Sequence, residues 1–253
     1  MTDVTNTTNK PISISNQAIF PHLHLLVSGG NSQLLLLKSF SDWKIIGQTL
    51  DDAAGECFDK IGRMVGFQYP AGVSVARTAK LDDNNYLNLS VGMQRDGGYN
   101  YSFSGLKTAV RYMIQKSTIP GIKFEKALVS QEITELMQIT NASDLENLNN
   151  PNKQKLEFIY QICCSVQAVV IKQLLNKFEK ALKNNLLENK IQSIGLSGGV
   201  SANLLLRQSL KELGDKYQIQ YLFKPHLKLT GDNAIMIGLA GLAGLYEENQ
   251  NKS

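Results

Sequence analysis

Apolar residues follow two periods along this chain, and the switches between them lay out its elements. Residues 22–28 form a strongly apolar run, Gly29-Gly30-Asn31-Ser32 interrupts it, and 33–37 resumes it. Two short apolar runs about a Gly-Gly turn predict a β-hairpin, and a third run at 44–50 is expected to pair beside it. Phe58, Ile61, Met64 and Val65 then recur at helical spacing. They predict a helix over 53–65, with Asp51 and Asp52 at the positive end of its dipole and Gly66 closing it. Tyr69-Pro70-Ala71-Gly72 reads as a rigid turn into a short helix that runs to Ala79. Residues 82–98 read as a polar surface excursion, 106–115 as a helix, and 120–151 as a polar, Asn-rich mobile loop between helices.

The longest helix is expected over 155–183, where Ile159, Val166, Val170, Leu174 and Phe178 share one face. Residues 191–196 are short and β-branched, as in a buried parallel strand. Ser197-Gly198-Gly199 follows, then a helix over 204–213 and a strand over 217–223. The last apolar stretch, 234–246, predicts a core helix. Its Gly238, Gly241 and Gly244 each cost a helix about 1 kcal/mol against alanine, which implies close approach of another backbone or a ligand. This order predicts an α/β fold with a mixed sheet flanked by helices.

Composition narrows the class. Of 253 residues, 43% are hydrophobic and 19% charged, which excludes a disordered or collagen-like chain. Twenty-six Lys and Arg against 22 Asp and Glu give +4, a surplus that tolerates a phosphate-bearing partner without demanding one. The three cysteines form no disulfide framework and no zinc pattern, which suggests a reducing compartment. The stretch 234–246 is shorter than the ~20 residues a bilayer requires. Residues 1–19 are Thr-, Asn- and Ser-rich and are expected to be a disordered leader, not a secretory signal. A cytoplasmic setting is expected.

Two Ser-Gly-Gly turns, Ser28-Gly29-Gly30 and Ser197-Gly198-Gly199, each follow an apolar strand. One Gly-Gly is commonly only a tight turn. A matched pair at strand ends favours a phosphate cradle built from backbone N–H groups, with the two bends on opposite walls of one pocket. Asp232 stands at a strand-to-helix junction, either as a metal or ligand contact or as an ordinary helix cap. Asp52, Glu56 and Asp59 fall on one helix face, either solvated or turned into a cleft. His22 and His24 alternate on a strand, so they face one side, and a half-exposed edge pair is expected before a metal site. Lys107 reads as an exposed lysine or a phosphate contact. Cys163 and Cys164 read as small core residues.

Together these segments resemble a known family. Leu26-Val-Ser-Gly-Gly30, the run from Asp51 to Lys60 (DDAAGECFDK), Tyr69-Pro-Ala-Gly72, Phe103-Ser-Gly-Leu-Lys-Thr108, Ser197-Gly-Gly-Val-Ser-Ala-Asn203 and Thr230-Gly-Asp-Asn233 are similar, in order, to the TsaD family of tRNA adenosine threonylcarbamoyltransferases. The resemblance covers residues 20–245, with a polar tail at 246–253. It implies an actin/Hsp70-like (ASKHA, RNase H-like) fold, mostly the second lobe. It implies transfer of a threonylcarbamoyl group from threonylcarbamoyl-adenylate to the N6 amine of the adenosine beside the anticodon, in tRNAs reading ANN codons. Donor-contacting residues then map to Leu26, Val27, Ser28, Gly29, Gly30, Asp59, Gly72 and Asn203, and a metal-binding aspartate maps to Asp232, for one divalent iron or zinc ion. The implied partners are tRNA, a TsaB-like paralogue and a TsaE-like P-loop ATPase.

The sequence departs from the family pattern at Asn31 (usually His), Ala71 (usually Gly) and Gly231. It contains no HxxxH pair, which the family carries in a first lobe expected to be missing here. The alternative expectation is therefore a catalytically incomplete nucleotide-binding or scaffolding remnant. A kinase of the same superfamily is a third reading, which the YPAG and FSGLKT segments argue against.

Overall fold

A computed structural model describes residues 2–6, 19–80, 82, 84–93, 96–120, 122, 128–139, 144, 151–189 and 191–231. Among them the strands are β1 (Thr2–Asn6), β2 (His22–Val27), β3 (Ser32–Leu37), β4 (Trp43–Gln48), β5 (Ser193–Ser197) and β6 (Tyr221–Pro225). The helices are α1 (Ala54–Met64), α2 (Gly72–Ala79), α3 (Ser104–Lys116), α4 (Ser130–Gln138), α5 (Lys153–Asn189) and α6 (Leu204–Lys216), with 3-10 turns at Gly199–Ala202 and Leu227–Leu229. The described residues divide into two compact units, one from 1–49, 96–100 and 175–253, the other from 50–95 and 101–174.

The first unit is built on one mixed sheet of six strands in the order β1-β6-β5-β2-β3-β4. β2, β5 and β6 run parallel; β3 and β4 return antiparallel as a meander, and β1 lies antiparallel on β6. Alternation sorts the faces. Leu23, Leu25 and Val27 of β2 and Leu34 and Leu36 of β3 are buried, as are Ile194 and Leu196 of β5. α6 covers this side through Leu206 and Leu210, and Gly214 brings its backbone so near Ile194 that a Cβ there would stand 3.1 Å from Ile194 Cδ1.

The second unit is helical. α1 and α2 approach at Gly62, where a Cβ would meet the Ala71 Cβ at 2.6 Å and Val75 at 2.9 Å. Phe58, Ile61, Val75, Phe103, Val110 and Leu136 form its core with Leu156, Ile159, Cys163 and Val170 of α5. By length and composition, residues 153–185 of α5 match a membrane span. The helix is instead a core element, since Leu156, Ile159, Val166, Val170, Leu174 and Phe178 and even Gln167, Gln173 and Lys177 are buried.

The hairpin, the third strand and the helical segments arise where the periodicity places them. Three expectations change. Thr2–Asn6, within the expected leader, forms a strand: β-branched Thr and Val suit extended backbone, and β6 offers an unpaired edge. The expected loop at 120–151 contains α4, which buries Leu136 against the core and Glu132 against Lys155. The strand expected from Tyr217 begins at Tyr221, because α6 runs to Lys216 and Gln218 turns the chain at φ 54°. The Asn-rich residues 147–150, the last helix and the tail at 246–253 lie outside the described residues.

The Lys155–Glu132 pair, 2.5 Å apart with side chains only 9% and 8% exposed, is a buried ion pair. Glu132 also accepts the N–H of Val129 and so closes the first turn of α4. Lys155→Met is expected to cost about 3 kcal/mol in urea unfolding, because it strands a buried carboxylate. Adding Glu132→Gln is expected to recover part of that loss; an equal or greater loss in the double variant would contradict the account.

Candidate functional site

In the first unit, β2 and β5 lie side by side in parallel with Leu26 opposite Ser197. The turns that follow them therefore leave the same end of the sheet as neighbours. Ligands of open α/β sheets collect beyond the carboxyl ends of such strands. Gly198 sits at φ 89° against the Val27 carbonyl, and a Cβ on it would stand 2.7 Å from the Val27 carbonyl carbon and 3.3 Å from Ser28 Cβ. Only glycine meets both demands. Among the described residues, Cβ atoms on Gly29, Gly30 or Gly199 would meet nothing within 4 Å. The two bends thus lie side by side at one end of the sheet, not on the opposite walls expected from the sequence.

The first bend is closed on itself. Ser28 N–H donates to the Asn31 carbonyl at 2.7 Å, and the Ser28 hydroxyl oxygen accepts from the N–H groups of Asn31 at 2.9 Å and Gly30 at 3.3 Å. Two amides converging on the serine's own oxygen make a local side-chain turn that holds the bend. Leu26 is half-buried and Val27 fully buried, so Val27 belongs to the core and only its backbone reaches the bend. Asn203 caps α6, its Oδ1 accepting from Leu206 N–H at 3.0 Å. This cap is a structural task, separate from the ligand contact that the family resemblance implies for it.

Beneath the second bend lies a polar line that the sequence did not predict. Ser193 Oγ donates to the Ile19 carbonyl at 2.6 Å and lies 2.6 Å from His22 Nδ1. His22 Nε2 is 3.0 Å from His24 Nδ1, and His24 Nε2 is 2.7 Å from Ser197 Oγ. Gly195, between the two serines, makes room for both rings: a Cβ there would fall 2.6 Å from His22 Nε2 and closer still to His24 Nδ1. Phe223 packs edge-on against His22, with ring centroids 5.6 Å apart. The histidines, His22 buried and His24 part-buried, are thus partners on a central strand and not on the sheet edge expected for a half-exposed pair. Burial lowers the His24 pKa to about 4; burial first, and then the charge of His24, lowers that of His22 well below the ordinary value. A signal existed, since H-x-H and S-x-G-x-S both alternate polar groups to one face. It was unreadable without knowing that β2 and β5 are neighbours.

In the second unit, two expected site residues meet directly. Asp59 Oδ1 accepts the N–H of Gly72 at 2.7 Å, so the carboxylate caps the first turn of α2. A Cβ on Gly72 would stand 3.2 Å from that oxygen. The acidic face divides: Asp52 and Glu56 hold Lys60 at 2.7 and 2.8 Å, while Asp59 turns to Gly72. Lys107, expected as an exposed lysine or phosphate contact, is paired with Asp52 at 2.9 Å. Burial alone would raise the Asp52 pKa; the hydrogen bonds and charges of Lys60 and Lys107 outweigh it and hold the carboxyl below its ordinary range. Asp51 accepts from Ser102 Oγ, Ser104 Oγ and Phe103 N–H at 2.5, 2.7 and 2.8 Å. These bonds likewise overcome its burial and lower its pKa. Asp232 lies outside the described residues, among which no group of three or more His, Cys, Asp or Glu could hold a metal ion. Cys163 and Cys164 are buried, as a core role requires.

Two outcomes follow from the histidine line. Gly195→Ala forces a methyl into both rings and is expected to cost at least 2 kcal/mol in urea unfolding, against ~0.5 kcal/mol for ordinary surface changes. Acid is expected to destabilise the fold before the carboxylates titrate. Because the folded state depresses both histidine pKa values, the unfolded chain binds more protons below about pH 6.5, and stability falls as pH drops from there toward 4. The loss from His24 alone reaches up to about 3 kcal/mol. Thermal melts of the His22→Phe/His24→Val variant should be flat over this window, and a slope equal to that of the unsubstituted chain would remove the explanation.

Comparison with known proteins agrees with the motif order. The sequence profile of the family described as TsaD, tRNA N6-adenosine threonylcarbamoyltransferase, matches residues 8–239. A tRNA N6-adenosine threonylcarbamoyltransferase of Thermosipho africanus is 36% identical over 232 residues, which are 90% of this chain and 58% of that protein. Proteins of the same name from Carboxydothermus hydrogenoformans and Mycoplasma capricolum are 36% and 34% identical, with 57% and 59% of their lengths covered. The chain thus spans rather more than half the length of the curated relatives it matches. A solved structure of HypF from T. kodakarensis aligns with 90% of this chain and 34% of its own at a TM-score of 0.37 and 14% identity, too slight a likeness to carry an argument. With a profile match across most of its length, the chain belongs to the TsaD family of tRNA N6-adenosine threonylcarbamoyltransferases.

Proposed function

We propose that this chain acts in the transfer of a threonylcarbamoyl group from threonylcarbamoyl-adenylate to the N6 amine of the adenosine next to the anticodon in tRNA. One observation carries the reading. The two Ser-Gly-Gly bends sit side by side and open beyond the carboxyl ends of parallel β2 and β5, where an adenylate phosphate would meet backbone amides. The residues mapped to donor contacts, Leu26, Val27, Ser28, Gly29, Gly30 and Asn203, belong to this wall or to the helix that follows it, and Asp59 and Gly72 form their own hydrogen-bonded pair.

The chemistry needs the mixed anhydride held while an amine attacks its carbonyl carbon, expelling AMP. Backbone N–H groups at the bends support this by neutralising phosphate charge and orienting the leaving group. A divalent iron or zinc ion, with Asp232 among its ligands, is part of the proposal. Such an ion supplies Lewis-acid polarisation when bound. The described residues offer no ligand cluster for it. tRNA, a TsaB-like paralogue and a TsaE-like ATPase are the proposed partners. A cytoplasmic setting accords with three buried, unpaired cysteines.

The test is formation of modified adenosine on tRNA from synthetic donor, with this chain alone and with those partners, read by nucleoside mass spectrometry. Product that depends on this chain is the expected result. Tight adenylate binding with no product in any combination would replace transfer by the nucleotide-binding or scaffolding alternative. Asn203→Ala is expected to weaken adenylate binding about tenfold and, because it also removes the α6 cap, to cost about 1 kcal/mol of stability; unchanged affinity by calorimetry would remove the residue from the site.

A further inference from the structure

The line of polar groups under the second bend has a direction, and one atom fixes it. The Ile19 carbonyl only accepts, so the single proton of Ser193 Oγ is committed to it. Ser193 Oγ must then accept from His22 Nδ1–H, which leaves His22 Nε2 as an acceptor for His24 Nδ1–H. His24 Nε2 in turn is an acceptor, and the Ser197 hydroxyl donates to it. Both rings are neutral in this arrangement, and with its proton committed to His24 the Ser197 oxygen has only lone pairs left for a further partner.

An anion that meets Ser197 Oγ at that bend would conflict with this polarity, because two acceptors would face each other. Rotating Ser197 toward the anion would leave His24 Nε2 unsatisfied. One arrangement keeps every bond: a proton added at His24 Nε2, which then donates to Ser197 Oγ, while the Ser197 hydroxyl reverses and donates to the anion. The added charge stays on the ring, with His24 Nδ1–H still donating to His22 Nε2. We propose that binding of a phosphate-bearing ligand at the Ser197–Gly199 bend takes up one proton from solvent, held on the His24–His22 pair, and that the reversible Ser197 hydroxyl couples the two events. The inference rests on the nucleotide reading of this wall.

The groups around the pair agree with that assignment. β5 contributes Ser193, Gly195 and Ser197, β6 contributes Phe223, and β3 sets Leu37 and Leu35 opposite His22 and His24. Among the described residues, no carboxylate or ammonium acts on either ring. Among the described residues nothing compensates a charge there, and a bound phosphate would supply the negative partner.

The experiment is calorimetric titration of AMP into the full chain at pH 5.5, 6.5 and 7.5, in buffers of different ionisation enthalpy. Proton uptake beyond the fraction that AMP itself carries is expected, with affinity weakening by up to about tenfold per pH unit where uptake is complete. A downfield shift of the His24 ring resonance on adding AMP to the unsubstituted chain checks the proton's location without any variant. Ser197→Ala should bind AMP without surplus uptake. Binding with no surplus proton, or surplus uptake retained in Ser197→Ala, overturns the inference and leaves the nucleotide reading intact. No binding of AMP at any pH overturns both.

Discussion

Parallel pairing of β2 with β5 is the constraint on which the rest of the first unit depends. Parallel neighbours require a long crossover, so residues more than 160 positions apart in sequence are placed in register, Leu26 opposite Ser197. Every feature of the candidate wall follows. The bends emerge side by side, Gly198 must lose its side chain to pass the Val27 carbonyl, and Gly195 must lose its own to admit two imidazoles. A slip of one residue would turn His22 and His24 to the opposite face, among leucines, where neither ring has a partner.

In the second unit, the family motifs turn out to be halves of hydrogen bonds. The carboxylates of Asp51 and Asp52 reach the segment 102–107, through Ser102, Phe103, Ser104 and Lys107. Asp59 reaches Gly72 of the Tyr-Pro-Ala-Gly turn. Each motif therefore has a packing task that would preserve it whether or not it touches a ligand. Ala71 lies fully buried against Gly62, so that position is limited by the α1–α2 contact.

Period and turn chemistry made most of the fold legible. The hairpin, the meander strand, α1, α3, α5, β5 and α6 each follow from apolar spacing and punctuation by glycine. What escaped did so for identifiable reasons. α4 is short and polar on its exposed side, and its stabilising pair, Glu132 with Lys155, is an ion pair that no hydropathy pattern records. β1 depends on an edge supplied by β6, more than 200 residues away. Of the site, the glycine bends were legible because glycine at a strand end has a backbone reason. The histidine line was not, since it needs the register of two strands that sequence distance conceals.

The self-closed first bend bears on what the wall selects. Its amides are not vacant: Gly30 and Asn31 donate to Ser28 Oγ. A neutral ligand oxygen replacing that hydroxyl exchanges like for like, about 1 kcal/mol per bond lost and regained. A phosphate oxygen gains charge-assisted bonds of roughly 1.5–3 kcal/mol each and leaves the small serine side chain to rotate into water. If the first bend meets the adenylate phosphate as proposed, Ser28 would therefore favour an anion over a neutral polar group there. On the neighbouring bend the Ser197 proton is held by His24. On the same proposal, then, Ser28 would be displaced by charge and Ser197 reversed by a proton, so that the two bends would discriminate by different means although their sequences are alike.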